Sequence, residues 1–229
     1  KSLGKGVFHG HENTEGTLII NGEAACDPLT FKDSTGSASD VNSLTKMTIY
    51  ALGSASKVNN EVMALGGSGS NILCLTNGGV IDVTQGKDAT TGLYTPVYNG
   101  DGKVFDGWYN SNDQKLANAA SHGTYTAKWL DSAYTVAPTE VKLSYTYGDE
   151  TLTAGTVTVE ASDTVASPDF TATTSSTYFT VTKNENMTFS VTPTSDLDAG
   201  KYEGTIVVTT GDSATHTVSV TLTVAKKSI

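Results

Sequence analysis

The last hundred residues of the chain alternate between apolar and polar positions. From Val141 to Tyr147, the apolar residues Val141, Leu143, Tyr145 and Tyr147 are separated by Lys142, Ser144 and Thr146. Val157 and Val159 stand among Thr156, Thr158 and Glu160. Phe179 and Val181, then Met187, Phe189 and Val191, then Tyr202, Ile206 and Val208 continue the pattern, and Val218, Val220, Leu222 and Val224 complete it. A period of two predicts strands with one face in a core and the other in water. The watery face is largely Thr, which is β-branched and stays polar without adding charge. Turn formers separate the runs at Gly148-Asp149, Ser167-Pro168-Asp169, Lys183-Asn184-Glu185-Asn186, Asp198-Ala199-Gly200 and Gly211-Asp212. About seven short strands at this spacing predict a β-sandwich over 131–229.

Upstream the periodicity weakens. The middle segment, 71–130, opens on the apolar run Ile72-Leu73-Cys74-Leu75 and holds both tryptophans, Trp108 and Trp129, each closing a strand-like run. Two large aromatics in so small a module are expected to build its core. The competing reading is an exposed aromatic platform that stacks on a sugar ring. It survives because strict alternation of Phe105, Gly107 and Tyr109 puts Trp108 on the opposite face from Phe105. Tyr94, Tyr98, Trp108 and Tyr109 are its candidate ligand-binding residues. Residues 1–70 read as an irregular β segment or partial domain. Its strand candidates are Thr17–Ile20 and Lys46–Leu52, with a hairpin turn predicted at Asn21-Gly22. Ser34–Ser43 has the polar start of a short helix but no apolar repeat at helical spacing. The whole is therefore expected to be mainly all-β, in three parts: 1–70, 71–130 and 131–229.

Composition narrows the function. The chain has 37 Thr, 22 Ser and 23 Gly, with only 17% charged residues. Its 14 basic residues are all Lys, and the net charge is −10. A chain this acidic and without Arg lacks the cationic surface that nucleic-acid phosphates require, and it lacks the usual bidentate clamp for phosphate substrates. No apolar run approaches the roughly 18 residues that span a bilayer, so no membrane span is expected. The two cysteines, Cys26 and Cys74, are compatible with one disulfide in an oxidising compartment and equally with two buried thiols. The chain opens at Lys1 without the apolar run of a signal peptide, and residues 225–229 read as the start of a linker. Both features predict a processed or excised piece of an extracellular protein.

Candidate chemistry is sparse. His9 and His11, with Glu12, have a spacing that an extended chain could offer to Zn²⁺, though solvated imidazoles near a terminus explain them as well. His122 and His216 have no ligand partner at nearby spacing. Asn99-Gly100-Asp101-Gly102 and Asp196-Leu197-Asp198 resemble fragments of Ca²⁺ loops, but neither has the closing bidentate Glu, and both fit turns. Structural Ca²⁺ is thus left unassigned, and no metal site or cofactor is expected. Gly66-Gly67-Ser68-Gly69-Ser70 lacks the Lys-Ser/Thr of a phosphate loop, and no Gly-x-Ser-x-Gly elbow occurs. No catalytic residue is expected, and the chain reads as a non-enzyme. Lys142 lies where surface adhesins place the lysine of an intramolecular isopeptide bond. The late strand 216–224 offers it no Asn or Asp, so none is expected.

Two resemblances sharpen this reading. Asn77-Gly78-Gly79, Gly86, Pro96, Val104-Phe105-Asp106-Gly107-Trp108-Tyr109 and Thr124-Tyr125-Thr126-Ala127-Lys128-Trp129 resemble the Listeria–Bacteroides repeat, related to the B repeat of internalins. Lys103-Val104 stands where that family has Gly-Tyr. The resemblance implies a small β-grasp-like module of extracellular bacterial proteins, without enzymatic activity. Ala199-Gly200-Lys201-Tyr202-Glu203-Gly204, running into Ile206-Val207-Val208, is similar to a stretch of bacterial immunoglobulin-like modules. That likeness implies an immunoglobulin-like β-sandwich. Together they predict structural or adhesive spacer and display modules at a bacterial cell surface. Their partner would be a host or environmental surface ligand, a glycan or neighbouring copies of the chain. Two other functions stay open: a carbohydrate-binding accessory of a secreted glycoside hydrolase, and a subunit of a self-assembling filament in which the strand 216–224 or the N-terminal segment is the donor.

Overall fold

The structure, a computed structural model, describes residues 7–9, 15–19, 30–32, 46–51, 72–149 and 151–227. The described residues are nearly all β, with one 3₁₀ turn at Val83–Gln85 and no α-helix. The chain forms two compact units, one of 1–99 with 105–130 and the other of 100–104 with 131–229.

In the first unit the strands are β1 (Val7–His9), β2 (Glu15–Ile19), β3 (Thr30–Lys32), β4 (Lys46–Ala51), β5 (Ile72–Leu75), β6 (Gly79–Ile81), β7 (Pro96–Tyr98), β8 (Lys103–Tyr109) and β9 (Gly123–Asp131). Five of them make one sheet in the order β2-β4-β5-β9-β8. Neighbours from β2 through β9 run parallel, with Thr17 beside Thr48, Thr48 beside Ile72 and Ile72 beside Gly123. β2 therefore joins β4 in parallel, not as the arm of a hairpin; Asn21-Gly22 and Ser34–Ser43 lie outside the described residues. The expected boundary at residue 70 falls inside this sheet, since β4 and β5 are hydrogen-bonded across it. Thr48 through Ala51 are buried without interruption, as are Ile72, Leu73 and Cys74. Parallel strands covered on both faces have no need of a polar face, and their sequences lose the alternation that reveals a strand. Beside the sheet, β6 and β7 form an antiparallel pair and β1 and β3 a parallel one.

The second unit is a β-sandwich. Its strands are β10 (Tyr134–Ala137), β11 (Glu140–Thr146), β12 (Gly155–Ala161), β13 (Phe170–Thr174), β14 (Phe179–Lys183), β15 (Thr188–Pro193), β16 (Gly200–Thr210) and β17 (Thr215–Ala225). They form two four-stranded sheets, β10-β12-β15-β14 and β11-β17-β16-β13. The expected alternation is present: β11 buries Val141, Leu143 and Tyr145, and β17 buries Val218, Val220, Leu222 and Val224. Both sheets contribute to a single core that includes Val157, Phe189, Ile206 and Leu222. Tyr147, predicted to extend the apolar face, is 47% exposed just beyond the end of β11. β13 lacks an apolar repeat and enters the core through Phe170 at its first position. The chain passes from one sheet to the other at Ala137–Pro138, a cis peptide. β11 then runs parallel to β17 over seven residues, from Glu140 beside Ser219 to Thr146 beside Ala225.

This placement corrects one expectation. β17, foreseen as a donor strand, is an inner strand bonded to β11 on one side and β16 on the other. From Ser219 to Val224 it is paired on both sides and has no free edge to offer a second copy.

Candidate functional site

The four candidate aromatics lie in the first unit, and the structure separates them. Trp108 is only 3% exposed and cannot serve as a platform. Its indole N–H donates to the carbonyl of Tyr94 at 3.1 Å. Phe105 and Trp108 lie together, with ring centres 5.5 Å apart, rather than on opposite faces. The strict alternation assumed for this strand fails at Gly107, which is buried next to Trp108.

The rings form a continuous chain. Tyr94 meets Tyr50 edge-on at 5.6 Å, Tyr50 lies 6.1 Å from Trp108, Phe105 meets Trp129 at 5.6 Å, and Trp129 lies 5.1 Å from Tyr98. Edge-to-face pairs at such distances are attractive beyond the area they bury. The Tyr50 hydroxyl accepts the Tyr94 N–H at 2.9 Å, and burial pushes its pKa far above the ordinary phenol value. Tyr94 and Tyr98 are thus half-buried parts of a core and not a surface row. Tyr109 stands apart: its hydroxyl donates to Asp106, and the Lys128 ammonium lies 4.4 Å from its ring centre.

The glycines at 78 and 79 have a role in the same network. Asn77 and Gly78 take positive φ values of 47° and 94°, which turn the chain between β5 and β6. The Trp129 indole donates to the Asn77 carbonyl at 3.0 Å. A Cβ on Gly79 would stand 2.6 Å from the Trp129 ring, so only glycine lets the indole close over this turn.

Beside β8 opens a cleft of about 350 Å³. Phe105, Trp108 and Leu116 supply its apolar lining, while Asp88, Thr90, Thr91, Thr95, Asp106 and Lys115 supply the polar one. Two turns hold the polar groups. Asp88 Oδ1 accepts the Thr91 N–H at 2.7 Å and the Thr91 hydroxyl at 2.8 Å, and these bonds hold its carboxyl below the ordinary range. On the opposite turn Leu116 N–H donates to the Trp108 carbonyl at 2.7 Å, which carries Lys115 back over β8. Lys115 Nζ then reaches Asp106 Oδ1 at 2.9 Å. The Tyr109 hydroxyl and Lys115 together lower the Asp106 pKa, and the same bond to Asp106 raises that of Tyr109. Both aspartates are therefore fixed, ionised acceptors. Asp106 lay in plain view within Phe105-Asp106-Gly107-Trp108-Tyr109, and Asp88-x-x-Thr91 carries the signature of a side-chain-capped turn. Nothing in the sequence placed the two together.

The remaining candidates resolve individually. Cys74 is a fully buried thiol whose pKa burial pushes far up, while Cys26, the other half of the possible pair, lies outside the described residues. His9 falls in β1, while His11 and Glu12 lie outside the described residues. Asp101 accepts the Thr217 hydroxyl at 2.9 Å, and the Asp198 carbonyl accepts the Tyr202 hydroxyl at 2.8 Å. Lys142 pairs with Glu140 at 3.1 Å on the exposed face of β11. Among the described residues no three His, Cys, Asp or Glu are grouped to hold a metal ion, and no helix is long and apolar enough to cross a membrane. No protein-family model matches the chain, and no curated protein matches it in sequence.

Proposed function

We propose that the chain is a non-enzymatic structural segment of an extracellular bacterial surface protein, with a β-grasp-like module followed by an immunoglobulin-like sandwich that spaces and displays its neighbours under tension. The observation that carries this reading is the parallel pairing of β11 with β17. One is an early strand of the sandwich and the other its last. Tension along the chain draws β11 toward its N-terminus and β17 toward its C-terminus. In a parallel pair these pulls oppose each other along the strand axis, so the ladder is loaded in shear and its bonds must break together. The Thr faces and low charge fit a module that stays soluble without ionic surface chemistry.

The bonds from Ser219 N–H to the Thr139 carbonyl and from Tyr147 N–H to the Ala225 carbonyl, both 2.9 Å, bracket the ladder. They place the odd positions of β17 toward β11. Thr223→Pro, on the exposed face, thus removes a donor from this ladder and no apolar side chain. Stretching single molecules by their ends should show the sandwich opening at a force reduced by about half in Thr223→Pro. An unchanged rupture force would refute the load path.

A further inference from the structure

We propose that the cleft beside β8 binds a neutral sugar, a pyranose ring seated against Phe105, with its hydroxyls bonded to Asp88, Asp106, Thr91 and Thr95. The inference is separate from the load-bearing role, and each stands or falls by its own test.

The volume, about 350 Å³, lies at the lower end of the roughly 300–1,000 Å³ of small-molecule sites. The lining then selects the ligand. An anion meets two carboxylates and one ammonium, and that ammonium already bonds to Asp106. An apolar ligand would strand the carboxylates and hydroxyls that ring the opening, at the desolvation cost of each. A metal ion finds only the two carboxylates of Asp88 and Asp106, far short of the roughly six to eight oxygens a hard cation takes, and the Lys115 ammonium stands 2.9 Å from Asp106 Oδ1. A neutral polyol suits what is left. Ionised carboxylates accept from hydroxyls in charge-assisted bonds. Threonine hydroxyls both donate and accept. The C–H edge of a sugar ring needs an apolar surface, which Phe105 provides with Leu116. Both Thr91 donors take Asp88 Oδ1, which fixes the carboxylate at the cleft. Phe105 is itself wedged between Trp108 and Trp129, so the apolar side of the cleft is held in place before anything binds.

The test uses the full chain and five probes: the methyl glycosides of glucose, galactose, mannose and N-acetylglucosamine, and methyl glucuronide as the charged counterpart of the glucoside. Each is titrated to about 20 mM, a range suited to weak single-ring binding, and followed by saturation-transfer and amide NMR. At least one neutral glycoside should saturate, with amide shifts confined to 88–95 and 105–116. The glucuronide should bind at least about fivefold more weakly than the glucoside, since like charges face each other across the site. Thr95→Val keeps the side-chain shape at an exposed position and should weaken binding about fivefold through the loss of one hydrogen bond. Amide shifts outside the cleft report that the variant is folded, and Thr90→Val provides the same comparison if it is not. No shifts from any neutral glycoside, shifts centred elsewhere, tighter binding of the glucuronide, or unaltered binding by the folded hydroxyl-deleted variant would each overturn the proposal.

Discussion

The two units solve burial in opposite ways. The sandwich keeps one face of most strands wet, so β17 alternates buried Val218, Val220, Leu222 and Val224 with Ser and Thr. The first unit buries successive residues, as in Ile72, Leu73 and Cys74 of β5, and joins aliphatics such as Ile72, Ile81 and Leu93 to a run of linked aromatic rings. A core of alternating small apolar residues spreads its stability over many replaceable contacts. A core of a few interlocked rings concentrates it in Trp108, Trp129 and the glycines that let them close. The difference also runs with the proposed roles: tension is proposed for the repetitive sandwich, while the ring-built unit holds the cleft.

The largest effects should come from removing one member of each core. Trp108→Ala should cost about 3–5 kcal/mol and lower the melting of the first unit, leaving the sandwich transition in place. Phe189→Ala should cost a similar amount, about 3–5 kcal/mol, and do the reverse. Scanning calorimetry with near-ultraviolet circular dichroism reads both; a single transition that moves with either variant would break the comparison. Next comes Gly79→Ala, whose Cβ meets the Trp129 ring at 2.6 Å. Overpacking of this kind costs about 1–3 kcal/mol, again confined to the first unit and visible as a change in Trp fluorescence.

A smaller and pH-dependent effect belongs to the sandwich. Asp212 accepts from Ser132, Ala133, Thr210 and Ala214. Burial alone would raise its pKa, yet these donors hold it below the ordinary carboxylate value. Its contribution is therefore present above the unfolded carboxyl pKa of about 3.9 and lost as pH falls through the lower folded value. Asp212→Ala should destabilise the sandwich by about 1–3 kcal/mol at neutral pH, with two turns left unsatisfied. The gap between variant and parent should close on acidification in a urea series. A constant gap down to pH about 2 would assign the loss to the turn backbone instead. The smallest change is Thr221→Val on the outer face of β17, which should stay within about 0.5 kcal/mol in the same denaturation series.

The same contrast explains what could be read in advance. The sandwich was legible because one face of each strand must be polar, and that requirement writes a period of two into β11, β12, β15 and β17. β13 escaped, since its inward positions after Phe170 are Ala172 and Thr174. The parallel order of β2, β4, β5 and β9 left no such trace: β4 and β5, with successive residues buried, read as short apolar runs, and partners in the sheet lie 24 to 51 residues away in the register. Trp108 was legible as core, but its side of β8 was not, because the alternation gives way at Gly107. The cleft was invisible for a related reason. Asp88 and Thr95 flank one turn, Lys115 lies on a second and Asp106 on β8, and only the tertiary fold brings them to one opening.

The central claim is that the sandwich bears load through its terminal parallel pair. Stretching the intact chain by its two ends measures this directly. The sandwich should rupture last and at the highest force, releasing a contour length on the order of 300 Å for the residues from 131 onward. Rupture of the sandwich at a force no higher than that of the ring-built unit would contradict the account.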